Sequence, residues 1–218
     1  HFLRLELVET HKIDYRIAVT TNDACFFQML YPYQKYAVLN HGINFDEFCI
    51  QDSEPEPNTL VFVANFRHYP NVDGILYFLR TIWNVIIDEI PSTRIYLVGI
   101  NPPESILKLA NESQIIVTGY VPDVRHYIQK ASICIAPLIT GAGLRGKIIE
   151  YAALRRTFVA TSIATSGLDF KDGEDYFCAD TASEFSNKVI RLLKEPQLAA
   201  QMAENAYNTA RKKYDTKQ

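Results

Sequence analysis

The chain has 218 residues, of which 48% are hydrophobic and 22% charged. That balance excludes a disordered chain and predicts a soluble globular protein with one sizeable core and room for part of a second domain. A net charge of −3 and a pI near 6.0 argue against nucleic-acid binding through bulk positive charge.

The four cysteines, Cys25, Cys49, Cys134 and Cys178, form no C-x-x-C pair and have no histidine at zinc-site spacing. No metal is expected on that pattern. Cys134 and Cys178 sit in apolar runs, where a reduced thiol is a small core side chain, and a cytoplasmic location is the simplest expectation. No apolar stretch reaches the ~18 residues of a membrane span, and no signal peptide opens the chain. It begins at His1 in mid-pattern, with FLRLELVETHK, as a fragment of a longer protein would.

In the first fifty residues, KIDYRIAVTT predicts a strand, NDACFFQML a short helix, and YAVLNHGINFDEF a strand leading outward. The segment QDSEPEPN at 51–58, with its prolines and acids, reads as a linker and a domain boundary. From Thr59 a different beat sets in. TLVFVAN (59–65), RIYLVG (94–99), QIIVTG (114–119), SICIAP (132–137), TFVAT (157–161) and DYFCA (175–179) are short apolar runs. Being apolar on both faces, they suit parallel strands covered by helices on two sides.

The intervening stretches carry helix signals. Asn71 precedes a stripe containing Ile75, Leu76, Leu79, Ile82, Trp83 and Ile86 that predicts one helix ending near Pro91. Tyr77, Phe78 and Trp83 lie at core spacing within it. Asn101-Pro102 reads as a cap with proline at the first helical position. Pro122 opens a segment reaching Lys130, Thr181-x-x-Glu184 is a capping box, and Pro196 opens a last helix to about Lys213. Alternating strands and helices predict an α/β fold with a doubly wound, mostly parallel, Rossmann-like sheet. In the common order 3-2-1-4-5-6, the loops NFRHYPN and LITGAGLRGK face each other where the order reverses. Both are basic and both end at helix N-termini, which favour anions.

Residues 139–150 read ITGAGLRGKIIE, with Gly141, Gly143 and Gly146 spelling G-x-G-x-x-G. A dinucleotide fingerprint belongs in the first β-α-β unit with an acid closing the next strand. Here the string follows the fourth strand of its domain, and TFVATSIATSG supplies no such acid. With a helix from near Leu144, Lys147 and Glu150 project together, roughly 60° apart, with Arg145 in the first turn. Two cations beside a glycine loop suit a diphosphate, and a carboxylate one turn deeper suits ribose hydroxyls. The plainer alternative is an i,i+3 ion pair on a wet face, contributing ~0.3 kcal/mol.

The runs VANFRHYPNVDGILYFL, VGINPP, VTGYVPDVRHYIQKA and APLITGAGLRGKIIEYAALRRTFVATSIATSGL, in that order, resemble the donor-binding half of a retaining GT-B glycosyltransferase of the "group 1" class. The resemblance covers about 58–215. It implies a GT-B C-terminal domain at 59–218 that binds a nucleoside-diphosphate sugar, after a remnant of the acceptor-side domain with its hinge strand at 1–50. Arg145 and Lys147 match the basic pair on the diphosphate and would be catalytic by stabilising the leaving group, with no metal and no cofactor. Glu150 matches the glutamate on the ribose. Tyr120 and Val121 match the place where backbone meets the base, and Asn65, Arg67 and His68 the loop beside the phosphates, with Gly141 and Gly143 opposite.

Three departures accompany the match. Ala142 stands where the family has the first glutamate of its E-x7-E motif, Arg155-Arg156 replace a small turn, and Thr157 replaces a proline. The implied partners are the sugar nucleotide, a saccharide or glycolipid acceptor, and the protein's own N-terminal domain. The basic tail ARKKY predicts a solvated helix end, with anionic lipid at the inner membrane face as the second reading. His41 and His126 are expected to be structural, and Tyr69 to pack in its loop. The rival readings are a non-catalytic module of the same fold and a sugar-nucleotide epimerase.

Overall fold

A computed structural model describes residues 13–39, 41–48, 54–111, 114–141 and 145–217. The chain divides into two compact units, one ending at Gly42 and the other beginning at Ile43. Residues 51–53 of the expected linker, Cys49 and the 142–144 stretch of the glycine loop lie outside the described residues.

The first unit is a β-α-β element. Strands β1 (Tyr15–Ala18) and β2 (Lys35–Val38) pair in parallel around helix α1 (Thr21–Leu30). Thr20 starts the helix by accepting the Asp23 N–H on its hydroxyl at 3.1 Å.

The second unit holds a six-stranded parallel sheet. Its strands are β3 (Glu56–Val63), β4 (Arg94–Val98), β5 (Ile115–Gly119), β6 (Ala131–Ala136), β7 (Phe158–Ala160) and β8 (Phe177–Cys178), in the order β5-β4-β3-β6-β7-β8. This is the anticipated 3-2-1-4-5-6 order, with the reversal between β3 and β6. Leu60, Val61 and Phe62 of β3, and Ile133 to Ala136 of β6, are buried, as strands covered on both faces must be. Burial pushes the Cys134 thiol well up, leaving it a small apolar core group. Trp83 and Phe78 are core residues as expected, 6.4 Å apart between ring centres.

The helices follow the sequence signals with three differences. The single helix expected from Asn71 to Pro91 is two, α2 (Tyr69–Thr81) and α3 (Trp83–Glu89), broken at Ile82, whose φ is −116°. Thr81 turns its hydroxyl back onto the Tyr77 carbonyl at 2.7 Å, a bond that bends helices. The break lets both Ile82 and Trp83, adjacent in sequence, enter the core. Asn101 is not a cap: it turns the chain with φ +56°, a conformation asparagine tolerates, and α4 (Glu104–Leu107) begins later, after Pro103. The segment opened by Pro122 becomes helical only at α5 (Arg125–Lys130), because the Asp123 carboxylate captures the Arg125 N–H at 2.9 Å and holds a turn there.

Helix α6 (Gly146–Ala153) follows the glycine loop and starts at Gly146, with Arg145 as its N-cap residue. The short α7 (Ser162–Thr165) comes next. Helix α8 (Ala182–Lys194) opens with the reciprocal bonds of the anticipated capping box at Thr181 and Glu184. Helix α9 (Pro196–Tyr214) starts at its proline and ends beside Ile43, whose N–H donates to the Tyr214 carbonyl at 2.7 Å.

One contact through the sheet sets the position of α6. Where β3 and β6 diverge, the Val63 N–H donates to the Tyr151 hydroxyl oxygen at 3.1 Å, and both residues are buried. Tyr151→Phe keeps the ring but orphans that N–H. The expected loss is about 1–3 kcal/mol of unfolding free energy, read from a urea denaturation curve.

Candidate functional site

The site forms where the sheet order reverses, between the loop after β3 and the loop after β6. The first loop is a tight turn. Phe66 N–H donates to the Ile100 carbonyl at 3.1 Å, and the Arg67 N–H donates to the Asn65 side-chain oxygen at 3.0 Å. Arg67, His68 and Tyr69 are left exposed on its crest. Pro70 in the first turn of α2 needs no N–H partner there and starts the helix at Tyr69.

The second loop lies close against α2. A Cβ on Gly74 would stand 2.6 Å from the Pro137 carbonyl oxygen. Gly141 has φ +112°, and a Cβ there would stand 3.2 Å from Pro70 Cβ and 2.5 Å from an Arg145 guanidinium nitrogen. Gly141 is therefore held between the first loop's proline and the Arg145 cation, in a backbone conformation that side chains rarely adopt. The Thr161 hydroxyl donates to the Leu138 carbonyl at 2.6 Å and ties this loop to the end of β7.

Helix α6 presents the charged groups. Ile148, Ile149, Tyr151, Ala152 and Ala153 are buried, so the helix lies on the sheet with its N-terminus at the crevice. Lys147 extends from its first turn across to α2, where its Nζ donates to the Asn71 side-chain oxygen at 2.9 Å. The same nitrogen lies 4.4 Å from the centre of the Phe62 ring, a cation–π distance. Burial first, and the neighbouring Arg145 cation second, push the Lys147 ammonium down to about 7, opposed by the Glu150 carboxylate. Burial also lowers Arg145, which stays charged at any ordinary pH. The wet-face reading of Lys147 fails on this geometry: its ammonium is engaged across a crevice.

Asn65, Gly141, Arg145, Lys147 and Glu150 thus meet in one place. Arg67 and His68 lie on the rim. Tyr120 and Val121 follow β5, two strands from β3, or about 10 Å at the usual strand spacing. Tyr120 is 73% exposed there and Val121 packs partly on the core. Gly143 and Ala142 lie outside the described residues. His126 and His41 are exposed, and Tyr69, 71% exposed, is not packed into its loop as expected. The turn around it is closed by backbone bonds and by Asn65, so its ring has no packing role there.

The sequence pattern marks Asn71 only as a helix start and Phe62 only as one position of the apolar run TLVFVAN, so neither stands out as a site residue. The signal for Asn71 was its neighbour: Pro70 moves the helix start back, which leaves the amide inside the first turn, facing the second loop. Among the described residues no group of three His, Cys, Asp or Glu side chains could hold a metal ion.

Of the departures at the far end of α6, Arg155 and Arg156 are accounted for by packing, whereas nothing in the structure explains the buried Thr157. Arg155, in the left-handed region with φ +51°, lies 4.1 Å from the Tyr207 ring centre and pairs with Glu204 at 3.2 Å. Arg156 donates through Nε to the Gln129 carbonyl at 3.0 Å, satisfying the end of α5.

The sheet order, the flanking helices and this crevice define a Rossmann-like α/β domain. Residues 57–195 match the family "Glycosyl transferases group 1", and the chain belongs to that family. It is 25% identical over 188 residues to an uncharacterized 44.6 kDa protein of the cps region of Klebsiella pneumoniae, covering 81% of this chain and 46% of that protein. The fold is similar to that of TarM, a protein of S. aureus, with a TM-score of 0.83 and 14% identity over 97% of this chain and 43% of TarM. The pneumococcal O-GlcNAc transferase GtfA, solved with UDP and GlcNAc, gives 0.80 at 14% identity over 99% of this chain and 45% of its own. Anabaena HepE, solved with UDP and glucose, gives 0.75 at 14% identity over 98% of this chain and 62% of its own. The chain spans less than half the length of the Klebsiella relative and of TarM.

Proposed function

We propose that this chain is the donor-binding part of a glycosyltransferase that takes a sugar from a nucleoside-diphosphate sugar and passes it, with retention of configuration, to a saccharide or glycolipid acceptor. One observation carries the reading. Arg145 and Lys147 stand at the N-terminal end of α6, in the crevice where the sheet order reverses, facing the loop after β3. Helix-end N–H groups and two cations favour a diphosphate there. Glu150, one turn deeper, suits the ribose. The loop at Tyr120 and Val121 lies about the length of a nucleoside away.

The chemistry follows from charge. As the bond from the sugar C1 to the β-phosphate oxygen breaks, the acceptor oxygen takes its place on C1 and negative charge gathers on the departing diphosphate. Cations already in position lower that barrier most, because they need no reorganisation. In this reading Arg145 and Lys147 fill the part that a divalent cation plays elsewhere. The acceptor site and the proton acceptor belong to the N-terminal domain of the whole protein. UDP, present in the GtfA and HepE structures, is the first nucleotide to try.

Calorimetry on the full-length protein with UDP, GDP and ADP tests this. One of the three is expected to bind at micromolar concentration, with Arg145→Ala weakening it at least about tenfold. Absence of binding by all three overturns the reading.

A further inference from the structure

The Lys147 ammonium is faced from every element around it. Arg145 and Glu150 act on it from its own loop and helix, the Phe62 ring from β3, and the Asn71 carboxamide from α2. The carboxamide is held in one orientation. Its nitrogen donates to the Asn65 carbonyl at 2.9 Å, and a carbonyl only accepts. Its oxygen therefore turns to Lys147 and accepts from Nζ at 2.9 Å, and an ammonium only donates. An amide serves both partners at once. A carboxylate would repel the Asn65 carbonyl and neutralise the cation, and an aliphatic side chain would satisfy neither.

We propose that Asn71 is a positioning residue, whose neutral carboxamide ties the turn at Asn65 to the Lys147 ammonium and holds that cation in the crevice with its charge left for an anionic ligand. An ammonium has three donors, so the bond to Asn71 leaves two for phosphate oxygens. Because the acceptor is neutral, no ion pair has to break when the ligand arrives. The identity of that ligand rests on the function proposed above; the tie between the two loops does not.

The test uses the full chain with lysine labelled at its ε-carbon, titrated by NMR, the Lys147 signal being assigned by its loss in Lys147→Arg. Asn71→Asp adds a negative charge beside the ammonium and is expected to raise its midpoint by about one pH unit or more. Asn71→Leu removes the acceptor and is expected to lower it. Both variants are expected to bind UDP-glucose at least about fivefold more weakly than the parent at pH 7.5.

Midpoints that stay with the parent in both variants overturn the proposal. So do midpoints that move the same way in both, which is the mark of a general loss of structure. Opposite shifts in a protein whose parent binds no nucleotide support the tie and remove the functional reading.

Discussion

Lys147→Met is expected to weaken sugar-nucleotide binding by roughly ten- to a hundredfold, since a charge-assisted hydrogen bond is worth about 1.5–3 kcal/mol and each 1.4 kcal/mol is a factor of ten. Methionine is unbranched and only one atom shorter than lysine, so it fills most of the same space beside Phe62 with an apolar, adaptable side chain. It also removes a partly buried cation, so thermal stability is expected to hold while affinity falls. The pH profile separates charge from shape. Burial and Arg145 push the ammonium down to about 7, so near neutrality only part of the free protein carries the charge. A bound diphosphate favours the charged form and raises that value. Above pH 7 binding must therefore take up a proton, and affinity falls with rising pH until the pKa of the complex is reached. A sugar nucleotide is the right probe, because its phosphates are esterified and do not titrate in this range as a terminal phosphate does near pH 6. In Lys147→Met the slope between about pH 7 and 9 disappears. A variant that binds like the parent, or keeps the parent's slope, sinks the role given to Lys147.

The parts of the fold legible in the sequence were those written in burial. Runs such as TLVFVAN and SICIAP are short, apolar at consecutive positions and rich in Val and Ile, as strands covered on both faces are, so all six strands of the sheet could be placed. Their order followed from the regularity of doubly wound sheets, and it put the two basic loops face to face. What could not be read was set by contacts between distant segments. The break at Ile82 depends on the core accepting both Ile82 and Trp83, which no helical period describes. Asn101 looks like a cap in sequence and is a left-handed turn in space. Within the site, Arg145 and Lys147 were visible as charges inside a glycine string. Asn71 was hidden, because an asparagine before an apolar stripe has a sufficient local explanation, and its partner lies seventy-six positions away. Phe62 was hidden for the same reason: a strand phenylalanine is assigned to the core before its ring face is asked about.

Gly74→Ala is expected to destabilise the protein and weaken nucleotide binding together, against the ordinary preference of a helix. Taken alone, α2 would gain ~1 kcal/mol from alanine in its interior. The added Cβ, however, would stand 2.6 Å from the Pro137 carbonyl oxygen and 3.2 Å from the Leu138 Cα. Both are backbone atoms, so no side chain can swing aside. The loop is anchored by the bond from Thr161 to the Leu138 carbonyl and by the burial of Leu138. The helix is anchored by Ile75, Phe78 and Leu79 in the core. Overpacking of this kind costs about 1–3 kcal/mol, which outweighs the gain from propensity. The shift that relieves the clash opens the crevice one turn from Asn71, so the contact to Lys147 lengthens and affinity drops as well. Gly173→Ala is the control. That glycine has φ +78° with nothing within 4 Å of its Cβ position, so alanine there brings only backbone strain, of about 1–2 kcal/mol, and leaves binding unchanged. Urea unfolding and calorimetry on both variants decide the matter. A Gly74→Ala protein at least as stable as the parent, with undiminished affinity, would mean that α2 and the second loop do not approach this closely.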